Sequence, residues 1–200
     1  MELPHGQVAT KVWPVYDALG APDIKQEDVT VKVFGEVEKK LELSWSELMK
    51  LPKVHKVLDF HCVTRWSRIQ DDWEGVSLKK ILDMAKPKGD FLMFHCYEGY
   101  TTNLPISYIN EDSMLAYNFN GKPLEKIHGG PLRAFIPNLY AWKSAKWIHG
   151  IEVMKEDLAG FWEERGYNMR GDWRYEERYS EGVGFVDKIS AILQSRKDKE

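Results

Sequence analysis

The sequence predicts an α+β fold that forms a single domain over residues 1–200. Short β-rich runs dominate the middle of the chain, and the predicted helices are short or terminal. Strands do not alternate regularly with helices, and no internal repeat is found, which argues against a doubly wound sheet. Two hundred residues are enough for one hydrophobic core that buries about 70% of the unfolded surface, but they are few for two domains.

The first two dozen residues predict an extended arm, because proline and glycine interrupt every short run. These residues are Pro4, Pro14, Gly20 and Pro22. Residues 29–34 alternate between apolar and polar side chains, which predicts a half-buried strand. Ser44 and Glu47 form a capping-box pattern that predicts a short helix ending before Pro52.

The two cysteines follow predicted strands. Residues 54–60 are apolar and β-branched, and residues 91–96 form a second apolar run. Between these strands, residues 77–85 predict a helix opened by its first serine. Cys62 and Cys96 therefore lie at strand ends, where loops carry functional side chains on a rigid scaffold.

The second half of the chain adds further strands and a terminal helix. Residues 114–119 predict a strand, and the Asn-Gly pair at 120–121 predicts a hairpin turn. Residues 132–136 and 151–154 are also predicted strands. Apolar side chains recur at helical spacing over residues 185–193, which predicts an amphipathic helix near the end of the chain.

Composition argues against several classes of function. The net charge is −3, from 28 basic and 31 acidic residues, and the basic residues are scattered, so we expect no nucleic-acid partner. No apolar run approaches the roughly 18 residues of a membrane span, and the first residues lack the features of a secretory signal. We expect a cytoplasmic protein with no membrane span. Two cysteines are too few for a disulfide framework.

The candidate chemistry lies in three polar clusters. They are residues 61–67, His95-Cys96 with the polar loop 98–103, and residues 128–133 with 140–146. Cys62 follows His61 and precedes Arg65 by three positions, so we expect nearby positive charge to favour its thiolate. From the residues alone, Cys62 is a nucleophile, a metal ligand or a buried thiol.

The third cluster predicts a site for an anionic ligand. His128 and Arg133 flank a pair of glycines, and Ser144 and Lys146 follow a little further along. Glycines let the backbone approach a ligand closely, while arginine and lysine bind phosphate. The spacing matches neither a P-loop nor a dinucleotide-binding turn.

A zinc site is the alternative that the residues leave open. The pairs His61-Cys62 and His95-Cys96 could contribute to one site. Adjacent strand residues point to opposite faces, so each pair would offer one ligand, and His55 or His128 would have to supply others. In that case the chain would be a non-catalytic, metal-stabilised binding domain.

Five short motifs follow one another along the chain. They are residues 59–67 (DFHCVTRWS), 73–76 (WEGV), 115–121 (LAYNFNG), 128–133 (HGGPLR) and 142–147 (WKSAKW). Their ordered combination resembles the molybdopterin domain of the sulfite-oxidase superfamily, over roughly residues 8 to 180. The chain is most similar to short, stand-alone members of unassigned substrate, which share a segment like residues 160–167 (GFWEERGY).

The resemblance implies a fold of mixed β-sheets and short helices around a molybdenum–molybdopterin cofactor. The cofactor would be the form without a nucleotide, with tungsten as an alternative metal. Cys62 matches the residue that ligates the metal. The other cofactor-binding positions implied are Trp13, His61, Cys96, His128, Arg133, Ser144, Ala145 and Lys146.

The implied reaction is a two-electron oxygen-atom transfer on a small oxide, such as a sulfoxide, an N-oxide or a sulfite-like molecule. Arg65, with Arg68 as a second candidate, would orient this substrate. The arginines after Cys62 are ordered differently from those of sulfite oxidases. We also expect the chain to have no haem domain, no C-terminal dimerisation domain and no twin-arginine export signal. We therefore expect it to exchange electrons with an unidentified donor or acceptor protein.

Overall fold

The computed structural model describes residues 3–180, which form two β-sheets with two short α-helices. The helices are α1 (Trp45–Leu48) and α2 (Leu78–Ala85). The strands are β1 (Val8–Ala9), β2 (Thr30–Gly35), β3 (Leu41–Ser44), β4 (Lys53–His61), β5 (Trp66–Ser77), β6 (Phe91–Cys96), β7 (Thr101–Pro105), β8 (Met114–Phe119), β9 (Lys122–Pro123), β10 (Arg133–Phe135) and β11 (Ile148–Met154). Single 3₁₀ turns cover Gln26–Asp28, Ile106–Tyr108, Lys126–His128, Ala141–Lys143 and Trp173–Tyr175.

Both sheets are mixed. The first has the order β1-β5-β8-β10, with β4 paired to β5 and β9 paired to β8, and only β1 runs parallel to its neighbour. The second has the order β3-β2-β11-β6-β7, with a parallel pair between β2 and β11. The prediction of an α+β fold with mixed sheets and short helices is confirmed.

The main hydrophobic core joins side chains from both sheets and from α2. The helix buries Leu78, Ile81, Leu82 and Ala85 at helical spacing, and its cap Ser77 accepts a hydrogen bond from the backbone of Lys80. Burying one leucine or isoleucine side chain stabilises the fold by about 1.5–3 kcal/mol. A second, aromatic cluster on the first sheet contains Phe60, Trp73 and Phe135.

Most elements with a local sequence signal occur where they are predicted. Strands β6 and β8 and the helix after Ser77 have the predicted bounds, and Ser44 and Glu47 form the capping box. Asn120 and Gly121 both have positive φ, at 48° and 72°, and form the two-residue turn between β8 and β9. Over residues 3–24 the arm has no regular element except the two-residue strand β1. The terminal helix predicted over residues 185–193 lies outside the described residues.

Five of the strands in residues 3–180 were not predicted, namely β1, β3, β5, β7 and β9. The 12-residue strand β5 carries charged side chains and bends at Gln70, where φ is 55°, so its sequence does not alternate regularly. Strand β7 occupies part of the region predicted as a polar loop. Its Thr102 and Asn103 are buried because their side chains bond to Glu163 and Asp157. Of the helices in residues 3–180, none has the length and apolar character needed to cross a bilayer.

Candidate functional site

A cavity of about 440 Å³ lies where the N-terminal arm crosses the end of β4. Arm residues 13–19 form one wall, and Cys62, Val63 and Thr64 form another. Residues 128–133, here called the glycine turn, and the segment 141–147 supply the cationic wall. Trp162 and Tyr167 also line the cavity. Seven of the ten residues predicted to form the site line this cavity. They are Trp13, Cys62, His128, Arg133, Ser144, Ala145 and Lys146.

A tight turn directly after β4 presents Cys62 to the cavity. The backbone N–H of Cys62 donates to Trp66 O at 2.9 Å, and the N–H of Arg65 donates to Cys62 O at 3.0 Å. Two side chains that are distant in sequence also bond to this turn. Gln7 Nε2 donates to Cys62 O at 3.0 Å, and Arg178 Nη1 donates to Val63 O at 2.7 Å. The turn is therefore stabilised both by its own backbone hydrogen bonds and by side chains from other parts of the chain.

Burial raises the pKa of the Cys62 thiol, whose residue is 7% exposed. Hydrogen bonding from Thr64 and the positive charge of Arg178 act in the opposite direction. The prediction that His61 and Arg65 supply this charge was wrong. Burial lowers the pKa of His61 to about 4, so its ring is neutral at pH 7, and Arg178 is the cation that acts on the thiol. A bound metal ion would supply the further positive charge that a thiolate needs here.

Arg133 is buried and holds the cationic wall together. Its Nη1 donates to His128 O at 2.8 Å, its Nη2 to Ser144 O at 2.6 Å, and its Nε to Ala134 O at 3.3 Å. The glycine turn needs its glycines, since a Cβ on Gly130 would lie 2.0 Å from Leu124 O. Arg133 therefore joins the turn to the segment around Ser144, and only part of its guanidinium is left for a ligand.

Lys146 connects this wall to the arm. Its Nζ donates to Tyr16 O at 2.7 Å and to Ile127 O at 3.2 Å. Burial and the neighbouring Arg133 lower the pKa of Lys146 to about 8, and burial lowers the pKa of Arg133 to about 9. Burial and these two cations lower the pKa of His128 to about 4. Crowded, buried positive groups of this kind fit an anionic ligand, which would relieve their repulsion.

Comparison with known proteins assigns the chain to a family. The family described as the oxidoreductase molybdopterin binding domain matches residues 18–162. The chain belongs to this family. The "Uncharacterized oxidoreductase YuiH" of Bacillus subtilis is 41% identical over 184 residues, which are 89% of this chain and 92% of that protein.

Two further proteins are similar to this chain at lower sequence identity. The protein-methionine-sulfoxide reductase catalytic subunit MsrP of Campylobacter jejuni is 28% identical, over 72% of this chain and 54% of the reductase. The sulfane dehydrogenase SoxCD of Paracoccus pantotrophus has a similar fold, with a TM-score of 0.62 and 23% identity over 68% of this chain and 41% of that chain. The resemblance to the sulfite-oxidase superfamily is confirmed at the level of family and fold.

Several buried polar atoms of this molybdopterin domain have no hydrogen-bond partner within residues 3–180. Trp66 Nε1 and Glu98 Oε2 belong to residues that line the cavity, and Tyr140 Oη belongs to the cluster around Cys62. Burial raises the pKa of Glu98 to about 7. Because buried polar groups are normally paired, the atoms of Trp66 and Glu98 fit a polar ligand in the cavity. The thiol, the cations and these atoms together fit a molybdopterin cofactor.

Three predicted site residues do not line the cavity. Arg65 is exposed, with its backbone at a φ of 74°, and its side chain lies against Gly6 of the arm. His61 Nδ1 bonds to Ser67 Oγ at 2.8 Å. Cys96 is 3% exposed within the main core. The site roles of these three residues stay predictions.

The zinc alternative has no site in the described part of the chain. No group of three or more histidine, cysteine, aspartate or glutamate side chains there could hold a metal ion. His95 instead pairs with Glu152, at 2.9 Å, in the second sheet.

The sequence assigned no role to several residues around the cavity and the Cys62 turn, three of which lie in the predicted clusters 98–103 and 140–146. They are Glu98, Tyr140, Trp142, Tyr167 and Arg178. The segment 160–167 was part of the family resemblance and could have indicated Tyr167. Arg178 has no local signal, because it acts on a turn 115 residues away.

Proposed function

We propose that this molybdopterin oxidoreductase catalyses oxygen-atom transfer on a small oxide substrate of the sulfoxide, N-oxide or sulfite type. The observation that carries the proposal is a single cavity with Cys62 on one wall and two cations, the buried Arg133 and the half-buried Lys146, on another. We assign Cys62 as the metal ligand. When bound, molybdenum–molybdopterin supplies two-electron oxygen-atom transfer, and tungsten is the alternative metal.

The cationic wall is assigned to the pterin and its phosphate. Lys146 has one N–H beyond its two backbone acceptors, and Arg133 has two, so both can donate to phosphate oxygens. His128, neutral at pH 7, supplies a ring that can donate or accept a hydrogen bond. Glu98 offers a carboxyl group to the N–H groups of the ring system.

Among the oxides, a sulfoxide suits the aromatic end of the cavity best. Trp142, Trp162 and Tyr167 line this end beside Cys62. Burial raises the pKa of Tyr167, so its phenol stays protonated and can donate to an oxide oxygen in the cavity. A neutral, dipolar sulfoxide loses less solvation energy on such a surface than a sulfite dianion does. The similarity to a methionine-sulfoxide reductase subunit supports the same choice.

The substrate-orienting role is assigned to Tyr167, since the exposed position of Arg65 gives no support to the role predicted for it. The relative MsrP is named as a catalytic subunit, which supports a separate partner protein that exchanges electrons with this domain. The cytoplasmic location stays a prediction.

The test begins with metal and pterin analysis of protein from a molybdenum-replete host. We expect stoichiometric molybdenum or tungsten with pterin, and zinc alone would contradict the proposal. Sulfoxides and N-oxides are then assayed with a reduced viologen donor, and sulfite with a ferricyanide acceptor. We expect the highest kcat/KM for a sulfoxide, at least tenfold lower in Tyr167→Phe and within about threefold of wild type in the matched control Arg65→Ala. A tenfold change corresponds to ~1.4 kcal/mol in the barrier.

A further inference from the structure

We propose that Thr64 is a positioning residue whose hydroxyl donates a hydrogen bond to the metal-ligating sulfur of Cys62 and thereby raises the reduction potential of the bound metal. The inference rests on the proposed function, in which Cys62 is the metal ligand. It concerns a side chain two residues beyond that ligand, which lines the same cavity.

The contact is direct. Thr64 Oγ1 lies 3.2 Å from Cys62 Sγ, and within residues 3–180 it is the only side-chain hydrogen-bond partner of that sulfur. Backbone N–H groups of Val63 and Thr64 also act on the sulfur. Thr64 is exposed, so water can satisfy its hydroxyl. Burial therefore does not require the hydroxyl to bond to the sulfur. The shape of the turn therefore sets the contact.

The turn leaves Thr64 little freedom. Hydrogen bonds link Cys62 to Trp66 and Arg65 to Cys62, and Arg178 fixes the carbonyl of Val63, the residue before Thr64. Threonine is branched at Cβ, so its χ1 angle is confined to a few staggered positions. One of these positions directs the hydroxyl at the sulfur, as observed.

Metal ligation fixes the direction of this hydrogen bond. A free thiol can donate or accept, but a ligating thiolate has no proton, so the Thr64 hydroxyl must be the donor. A donated hydrogen bond withdraws electron density from the sulfur. The sulfur then stabilises the oxidised metal less, and the reduced state is favoured. Loss of the hydroxyl should therefore lower the reduction potential.

The experiment compares Thr64→Val with Thr64→Ser in the cofactor-loaded protein. Valine keeps the shape and the branched Cβ but removes the hydroxyl, whereas serine keeps the hydroxyl and removes the methyl group. Molybdenum content and circular dichroism check loading and folding. The readouts are the midpoint potential, from a redox titration followed by electron paramagnetic resonance, and the energy of the sulfur-to-metal charge-transfer absorption band.

We expect Thr64→Val to show a lower midpoint potential and a charge-transfer band at lower energy, with both values close to wild type in Thr64→Ser. Unchanged values in Thr64→Val, or equal shifts in both variants, would overturn the inference alone. A wild-type protein without molybdenum, or a charge-transfer spectrum that is the same in Cys62→Ser as in wild type, would overturn the proposed function as well. The two failures are thus distinguished.

Discussion

Trp13 stacks on His128, with ring centroids 4.0 Å apart and ring planes 8° from parallel. This contact joins the N-terminal arm to the glycine turn. On its other sides the Trp13 ring meets Phe119, at a centroid distance of 4.6 Å, and Trp73, at 5.5 Å. The arm is also attached by the two-residue strand β1, by Arg68 Nη1, which donates to Lys11 O, and by Lys146 Nζ, which donates to Tyr16 O. Trp13 adds an aromatic anchor to these polar attachments of the arm wall.

Trp13→Ala should weaken cofactor retention, because the arm would lose one of its attachments over the cavity. Loss of the stacked contact alone removes about 0.5–1.5 kcal/mol, in addition to the lost burial. The measurement is molybdenum and pterin per polypeptide before and after extended dialysis. Val12→Ala is the matched control, since Val12 is 70% exposed. Equal retention in Trp13→Ala and wild type would show that the arm does not retain the cofactor.

Cys62→Ser should abolish turnover and leave the fold largely intact, because one ligand bond is lost while the pterin contacts remain. Cys96→Ser should keep its cofactor and most of its activity, because Cys96 lies in the core and not in the cavity lining. The measurements are kcat with the best oxide substrate and metal content. If Cys62→Ser retained activity within about tenfold, a barrier change of only ~1.4 kcal/mol, Cys62 could not be the ligand.

Arg133→Ala should lose both pterin and stability. The substitution leaves the carbonyls of His128, Ser144 and Ala134 without their donor, at a cost of about 1–3 kcal/mol for each one that stays buried. Lys146→Met should lose pterin with a smaller change in stability, because its two carbonyl partners are more exposed. Thermal unfolding of the cofactor-free proteins and pterin fluorescence separate the two effects. Full pterin occupancy in both variants would mean that the phosphate is held elsewhere.

The buried pair of Lys143 and Glu163 should dominate the stability of the wall behind Trp142. Their side chains are both 0% exposed and lie 2.6 Å apart, and Trp142 Nε1 also donates to Glu163. Lys143→Met should cost about 3–5 kcal/mol, because it leaves a carboxylate buried without its partner. In urea unfolding, the double variant Lys143→Met/Glu163→Gln should be less destabilised than the sum of the single variants, with a coupling of about 0.5–3 kcal/mol. Simple additivity would contradict a coupled pair.

Glu98 should make the cofactor-free protein less stable as the pH rises. Burial raises its pKa from the ordinary 4.5 to about 7 in the folded state, so between these values the folded protein binds the proton more tightly than the unfolded chain. The contribution of Glu98 to stability therefore falls from pH 4.5 towards 7, whereas His61 and His128, whose pKa values are lowered to about 4, contribute a rise with pH over part of this range. The charges facing Glu98 are Lys146 and Asp17, which act in opposite directions. Glu98→Gln should remove this slope in a comparison of melting temperature against pH, and parallel curves would contradict the assignment.

Local signals explain what the sequence could predict. The capping box of Ser44 and Glu47 and the Asn120-Gly121 turn need only their own neighbours, and both form as predicted. Strand β5 has no such signal, because charged residues like Asp71 are accommodated by partners from other segments, such as Asn120. The motifs also identified the cavity. They could not show that three N–H groups of Arg133 donate to backbone carbonyls. Those contacts depend on the tertiary positions of His128, Ala134 and Ser144.

The attachment of Arg178 to the Cys62 turn has a consequence for biosynthesis. Arg178 follows Val63 by 115 residues, so the ribosome adds it roughly 6 to 23 s after Val63, at about 5–20 residues per second. During that interval the turn lacks the guanidinium that later fixes it, and the Cys62 thiol is open to oxidants and to competing thiophilic metals. Cofactor insertion into the finished turn can only follow translation of this arginine. Chaperone protection of the nascent thiol would therefore raise the yield of loaded protein.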